Sequence, residues 1–295
     1  MEDLYGSYVT YDGILEEVWK SDRDAQFRQC QILRTMLAVI VVVHIVLVGI
    51  FVLAEVPLLV LTIPGSLSVI AFLITKISMK YVGKKNILYD IIYPRGVTLF
   101  NQEHDTTFTY EFKPKLDKTF HEEMGLFTRF ASISSNFRMV SKQEGHAPIT
   151  IQHCRMVTSN GKSSTIHFDG VYLILPKSGI PVQQLRSNGR PALKGVKMER
   201  LEDYEERIYV PQEEGITPVD SVLLGIFQEL PQTFELSRQY IGSNQSEIHI
   251  ALWFKKQPRL PNELNYNGLE ELIDPLHKLM SYTVELHHRL EDMYQ

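Results

Sequence analysis

The stretch Met36–Thr75, MLAVIVVVHIVLVGIFVLAEVPLLVLTIPGSLSVIAFLIT, contains one charged residue, Glu55. One straight helix of this length would measure ~60 Å, twice the ~30 Å thickness of a bilayer's hydrocarbon core. Two passes fit, with a break near Glu55, because Pro57 suits the first turn of a new helix. The stretch therefore predicts a transmembrane hairpin over residues 35–76, with helices over Thr35–Ala54 and Val56–Thr75.

Basic residues flank the hairpin at both ends and are absent from the turn between the spans. They are Lys20, Arg23, Arg28 and Arg34 before it, and Lys76, Lys80, Lys84 and Lys85 after it. Because loops rich in Lys and Arg stay on the cytoplasmic side, both termini are expected in the cytoplasm. We thus predict a protein that crosses the cell membrane twice and therefore interacts with the lipid bilayer. A hairpin buried in a large soluble core is the alternative.

His44 lies in the middle of the first predicted span. Ionisable residues at this depth are functional candidates, but a neutral histidine bonded to Ser66 or Ser68 explains the position equally well. A single histidine without an acidic partner makes no proton path. The role of His44 stays open.

Composition argues against several classes of protein. The chain has 295 residues, a formal net charge of −5 and two cysteines, Cys30 and Cys154. The acidic balance is not that of a nucleic-acid-binding protein. Two cysteines far apart predict neither a disulfide framework nor a zinc site, and no cofactor motif is evident.

Residues 1–34 predict an amphipathic helix. Ile14, Leu15, Val18 and Trp19 recur at helical spacing between polar residues. Their apolar face is expected to lie on the bilayer, to pair with a partner helix or a second copy of the chain, or to pack on the chain's own soluble part. The sequence does not decide between them.

Residues 77–295 carry both strand and helix patterns and predict a cytoplasmic α+β domain. Alternating residues predict strands at Tyr110–Phe112, Phe137–Ser141, Ile149–Thr158, Ser164–Leu175, Arg207–Val210 and Glu247–Phe254. Helical spacing predicts helices at Leu116–Phe130, Thr217–Leu230 and Asn267–Met293. Asn160-Gly161 predicts a hairpin turn. The expected fold class is α+β: a two-helix membrane hairpin, then a mixed domain with antiparallel strands and a long C-terminal helix.

The segment Lys177–Lys197 is rich in Gly, Pro and basic residues and predicts a loop. We consider two interpretations. The loop is either a solvated excursion or a binding loop for phosphate, lipid or an acidic partner.

Several groupings resemble catalytic or metal-binding motifs without completing them. Gly161-Lys162-Ser163-Ser164 lacks the earlier Gly of a phosphate loop, since Met156 stands there. His121-Glu122-Glu123 lacks the second His of a metalloprotease helix, and Gly125 takes its place. His287 and His288 are adjacent and point about 100° apart on a helix, so a solvated face is expected.

One nucleophile-and-base pair is conceivable. If the hairpin turns between Asn160 and Gly161, Cys154 lies opposite His167 on the neighbouring strand. Both residues fall in mid-strand and no orienting acid is placed. We therefore assign no catalytic, cofactor-binding or metal-binding residues.

The order of these elements resembles the bacterial membrane-associated domain-of-unknown-function family 3137. The likeness rests on the paired spans, the basic Tyr81–Lys84 stalk, the strand ending Phe168-Asp169-Gly170, the run into Tyr209-Val210 and the long final helix. The likeness covers residues 13–290. This sequence departs from the family pattern in the turn between its two predicted spans, which is unusually tight. The resemblance implies a bacterial integral membrane protein and supplies no catalytic residues.

We conclude from the sequence that the chain is a membrane-anchored binding, scaffolding or sensing module. Self-association through the N-terminal and membrane helices is a further expectation. The alternative is a membrane-tethered hydrolase or transferase. Its catalytic polar residues would be far apart in the sequence and would be brought together only by the fold.

Overall fold

The computed structural model describes residues 8–22, single positions between 24 and 46, and residues 87–294 apart from 128–129, 142–146, 162, 178, 192, 194–195, 213–218 and 259–263. Of the predicted hairpin only single positions in the first span are described, and Cys30 and His44 lie outside the described residues. Among described residues, no helix combines the length and the apolar character needed to cross a bilayer.

The chain divides into two compact units. One comprises Met1–Tyr93 with Leu260–Glu270, and the other comprises Pro94–Arg259 with Glu271–Gln295. In the first unit, residues 11–22 form helix α1. Thr10 begins this helix, since its Oγ1 accepts a hydrogen bond from the Gly13 amide at 3.2 Å. The predicted apolar spacing places Ile14, Leu15 and Val18 in buried positions.

The second unit is built on one antiparallel sheet of ten strands. In chain order they are β1 Phe108–Phe112, β2 Ser132–Ser134, β3 Phe137–Ser141, β4 Thr150–Ser159, β5 Ser164–Pro176, β6 Gln183–Arg186, β7 Met198–Leu201, β8 Arg207–Pro211, β9 Leu236–Ser243 and β10 Glu247–Phe254. Their spatial order is β1-β3-β4-β5-β10-β9-β6-β8-β7, and β2 pairs with β4. The antiparallel strands and the long C-terminal helix confirm the α+β prediction for the region that follows the predicted hairpin.

Four further helices lie between residues 93 and 293. They are α2 Tyr93–His104, which follows a π-helical turn at Leu88–Ile92, α3 Lys118–Glu123, α4 Ser221–Thr233 and α5 Tyr266–Met293. Helix α5 matches its predicted bounds to within one residue. Pro275 lies inside it without ending it.

Helix α4 packs on β9 and β6 at the back face of the sheet, which carries Ile241, Ile250 and Leu173. Phe234 makes edge-on ring contacts with Phe254 of β10 at 6.1 Å and with Tyr282 of α5 at 5.2 Å. These aromatic contacts join the end of α4 to β10 and α5.

Helix α4 differs from its prediction at both ends. The cap is Asp220, whose Oδ1 accepts from the amides of Val222 and Leu223 at 2.9 and 3.1 Å. Thr217, the predicted first residue of the helix, lies outside the described residues. The predicted end was Leu230, just before Pro231, yet the helix continues through Pro231 to Thr233. The carbonyl of Phe227, which Pro231 leaves without an amide donor, accepts instead from Gln239 Nε2 at 2.6 Å.

The segment 116–130 covers part of the front face, which carries Cys154, Tyr172 and Tyr240. The prediction of one helix over this segment is wrong. The helix is limited to α3, which ends at Glu123, because Gly125 adopts φ +59° and the chain leaves the helical conformation there. The chain then inserts Leu126 and Phe127 between sheet and solvent. Phe127 stacks on Phe168 at 4.8 Å and meets Tyr240 at 5.1 Å.

We expect the glycine at position 170 to be essential for joining β5 to β10. A Cβ at Gly170 would lie 2.2 Å from the backbone oxygen of Leu252 in β10, so Gly170→Ala must push the strands apart. The predicted loss in the free energy of unfolding is about 3 kcal/mol, measured by urea denaturation of the full-length chain. Gly225→Ala in α4 is the matched control, because a Cβ there meets nothing within 4 Å and should stabilise by about 0.5–1 kcal/mol. Equal effects from the two variants would contradict this explanation.

Candidate functional site

The predicted pairing of Cys154 with His167 is wrong. The β4–β5 connection is a loop over residues 160–163, so Ser159 pairs with Ser164, and a bulge after Met156 shifts the register again. Cys154 lies fully buried opposite Gly170. His167 Nε2 lies 2.9 Å from Thr158 Oγ1. The two residues therefore form no nucleophile-and-base pair.

The other sequence candidates have structural explanations. Gly161 adopts φ +82° in the hairpin loop, where Ser163 donates its amide to Asn160 Oδ1 at 2.9 Å. His288 is exposed as expected, but its neighbour His287 is buried, which corrects the prediction of a solvated pair. Within the described part of the chain, no group of three His, Cys, Asp or Glu side chains is arranged to hold a metal ion.

His121 belongs to a buried polar network on the front face. Its Nε2 lies 3.1 Å from Gln152 Nε2, and its ring meets the Tyr172 ring edge-on at 4.8 Å. Tyr172 Oη lies 3.0 Å from His249 Nδ1, and His249 Nε2 lies 2.9 Å from Glu247 Oε2. The network is a chain of hydrogen-bonding groups enclosed by aromatic rings.

Burial governs the chemistry of this network. It lowers the pKa of His121 to about 4, with nearby His249 acting in the same direction, so His121 is neutral at pH 7. The pKa of Tyr172 is raised well above its ordinary value by burial. His121, Tyr172 and His249 are at most 2% exposed. Solvent-borne substrates therefore do not reach these groups in this conformation, and the network reads as structural.

A cavity of about 630 Å³ opens on the front face at the other end of the sheet. Strands β7 and β8 and the turn after β6 form its walls. The lining residues are Gly189, Arg190, Pro191, Val196, Met198, Arg200, Glu202, Arg207 and Tyr209. Three guanidinium groups and one carboxylate leave a formal charge of +2. Arg200 Nη1 lies 3.7 Å from Glu202 Oε2, while Arg190 and Arg207 are in no ion pair with a described residue.

The turn over residues 187–189 is held from below by three side chains. Arg186 Nε donates to the Asn188 carbonyl at 3.3 Å. Tyr240 Oη donates to Asn188 Oδ1 at 2.6 Å, and Tyr209 Oη donates to the Gly189 carbonyl at 3.2 Å. These bonds fix one wall of the cavity before any ligand arrives.

Arg186 is a buried cation directly beneath this wall. The residue is 4% exposed, and a Cβ at Gly189 would lie 3.5 Å from its Nη2. Nη1 donates to Gln184 Oε1 at 3.0 Å, and the guanidinium lies 5.0 Å from the Tyr240 ring centre. Burial lowers the pKa of Arg186 to about 10, so it stays charged at pH 7. No carboxylate among the described residues pairs with it.

The prediction of a loop over Lys177–Lys197 is wrong in its centre. Residues Gln183–Arg186 form β6, a fully buried strand between β9 and β8. The sequence offered only a weak signal for it, since Leu185 is its one apolar residue. The pocket arginines of β7 and β8 were missed for another reason: they converge through strand pairing, which no local pattern reveals.

A comparison with known proteins found no match to any protein-family model, any curated protein or any solved structure. The resemblance to the membrane-associated family therefore stays a prediction.

The buried His121 should make the fold sensitive to mild acid. Its folded pKa lies below its ordinary value of 6.5, so the unfolded chain binds the proton first and stability falls as pH drops from about 6.5 towards 4. Between pH 7.5 and pH 5 this group should cost about 2 kcal/mol, measured by urea denaturation at both pH values. His121→Gln should remove that part of the loss.

His288→Gln replaces an exposed histidine of α5 and serves as the control. It should leave the pH dependence as in the unaltered protein. An acid sensitivity that persists in His121→Gln would contradict the assignment.

Proposed function

We propose that the chain is a membrane-anchored binding module whose α+β domain captures an anionic ligand in the pocket of Arg190, Arg200 and Arg207. One observation carries this proposal: three guanidinium groups line a single cavity that contains one carboxylate. Guanidinium groups present paired N–H donors that match carboxylate and phosphate oxygens. The cavity volume falls in the range that accepts small molecules.

The proposed anchor rests on the apolar stretch at residues 36–75 and on the described positions within it. Val39, Val42 and Val46 are helical and between 54% and 59% exposed. Their spacing puts them on one side of a helix. Exposed apolar stripes of this kind usually meet a partner or a membrane, and the length of the stretch favours lipid.

A binding role accounts for the pocket better than a membrane-tethered hydrolase or transferase. The pocket offers Tyr209 and Glu202 as its titratable groups besides arginine. The Tyr209 hydroxyl is engaged with the Gly189 carbonyl, and Glu202 with Arg200. The histidines that could serve as bases, His121 and His249, are buried elsewhere on the sheet.

Anion binding can be measured on the full-length chain in phosphatidylcholine nanodiscs. Isothermal titration with inorganic phosphate, succinate, phenyl sulfate and phenyl phosphate should detect binding of at least one. Arg200→Gln combined with Arg207→Gln should weaken that binding at least about tenfold, since each charge-assisted bond contributes about 1.5–3 kcal/mol. Arg155→Gln, a half-exposed arginine of β4, is the control and should bind as the unaltered protein does. Failure of all four anions would contradict the proposed function.

The anchor has a separate test. A cytoplasmic reporter fused after Gln295 should be active, and a periplasmic reporter at the same place should be silent, because the basic flanks keep both termini inside. Val42→Lys with Val46→Lys should reduce recovery in the membrane fraction, as each lysine costs about 2.5–3.5 kcal/mol at mid-bilayer. A periplasmic C-terminus would overturn the topology.

A further inference from the structure

The lining of the arginine pocket has two chemical halves. Arg190, Arg200 and Arg207 supply cationic donors, while Pro191, Val196 and Met198 supply apolar surface. A bare oxyanion would fill only a small part of a cavity of about 630 Å³. The apolar half therefore needs an organic group attached to the anion.

The charge balance of the pocket suits a dianion. The lining carries a formal +2, and the buried cation Arg186 adds its field from beneath the Gly189 wall. A buried charge without an opposite partner is costly, and an anion held a few ångströms away offsets part of that cost. A phosphate monoester carries about −1.5 to −2 charges at pH 7 on one group with three strong acceptor oxygens, whereas a monocarboxylate or a sulfate ester carries one charge and a dicarboxylate such as succinate spreads its two charges over separate groups.

We propose that the ligand of this pocket is a phosphate monoester with an organic substituent. The phosphoryl oxygens accept hydrogen bonds from Arg190, Arg200 and Arg207, and the substituent packs on Pro191, Val196 and Met198. Arg186 acts as a positioning residue, since it holds the Asn188 carbonyl and stays out of direct ligand contact. This inference rests on the proposed anion-binding function and names its ligand class.

Glu202 limits affinity in this scheme. Its carboxylate lies 3.7 Å from Arg200 Nη1 and competes with the phosphoryl group for that guanidinium. Glu202 is also highly exposed, with 76% of its side chain accessible. Replacing it should not disturb the fold.

The test is isothermal titration of the full-length chain in phosphatidylcholine nanodiscs with four anions: phenyl phosphate, inorganic phosphate, phenyl sulfate and succinate. Phenyl phosphate should bind at least about tenfold more tightly than inorganic phosphate, which lacks the organic group, and than phenyl sulfate, which lacks the second charge. Arg207→Gln should weaken the binding of phenyl phosphate at least about tenfold. Glu202→Gln should raise the affinity for phenyl phosphate several-fold, and Arg155→Gln should leave that affinity unchanged.

The gain expected from Glu202→Gln keeps the test decisive even if an arginine variant folds poorly. If succinate, phenyl sulfate or inorganic phosphate binds as tightly as phenyl phosphate, and the binding depends on Arg207, the proposed function stands and the phosphate-monoester inference is overturned. If no anion binds in an Arg207-dependent manner, both fail.

The same chemistry has a membrane source and a soluble source, which vesicles distinguish. Vesicles of phosphatidylcholine with a minor fraction of phosphatidic acid present a phosphate monoester, and vesicles in which phosphatidylserine supplies the same surface charge do not. Preferential, Arg207-dependent binding to the phosphatidic acid vesicles supports the inference with a lipid headgroup as ligand. Binding of phenyl phosphate without vesicle selectivity supports it with a soluble ester.

Discussion

The pairing of the short strand β6 between β9 and β8 is the constraint on which the rest of the candidate site depends. Gln184 lies opposite Gly242 on one side and Tyr209 on the other, and Arg186 lies opposite Tyr240 and Arg207. This pairing joins the β7–β8 hairpin to the main sheet. Without it, Arg200 and Arg207 would have no fixed relation to the turn at Gly189, and the pocket would not form.

Strand β6 achieves this with an unusual composition for a strand buried on both faces. Gln183, Gln184 and Arg186 are all polar, yet each is buried. Several of their groups are hydrogen-bonded locally: Gln184 Nε2 donates to the Met124 carbonyl at 2.9 Å, and Gln183 Oε1 accepts from the Asp220 amide at 3.3 Å, although Gln183 Nε2 has no hydrogen-bond partner among the described residues. Apolar residues of the same size would build a strand at lower desolvation cost. We interpret the retained polarity as the requirement of the site, because Arg186 supports the pocket wall through its bond to the Asn188 carbonyl.

The sequence predicted the elements whose patterns are long and regular. β4, β5, β10 and α5 follow from alternation or helical spacing sustained over eight residues or more. β6 escaped because four residues are too few to show a period when three are polar. The helix over 116–130 was overextended because its apolar spacing outweighed Gly125, whose positive φ decides the outcome. The register of the β4–β5 hairpin depends on loop length and a bulge, which a turn dipeptide alone does not specify.

The candidate site was even less visible in the sequence than the fold. The basic bias of Lys177–Lys197 pointed to the right region, and Arg190 lies in it, but Arg200 and Arg207 belong to the acidic stretch that follows. Only strand pairing brings the two stretches to one cavity. His121 is the opposite case, in which a sequence pattern suggests a site that the structure does not contain. A histidine followed by two acidic residues resembles a metal-binding motif, but the His121 ring is enclosed by aromatic rings.

The central claim is that anions bind at this pocket, and arginine footprinting tests it most directly. The full-length chain is treated with phenylglyoxal, with and without phenyl phosphate, and modified arginines are identified by mass spectrometry. The account predicts protection of Arg190, Arg200 and Arg207, with Arg138 and Arg155, both partly exposed on the distant strands β3 and β4, modified equally in both samples. Unchanged modification of the three pocket arginines, or equal protection of Arg138 and Arg155, would contradict it.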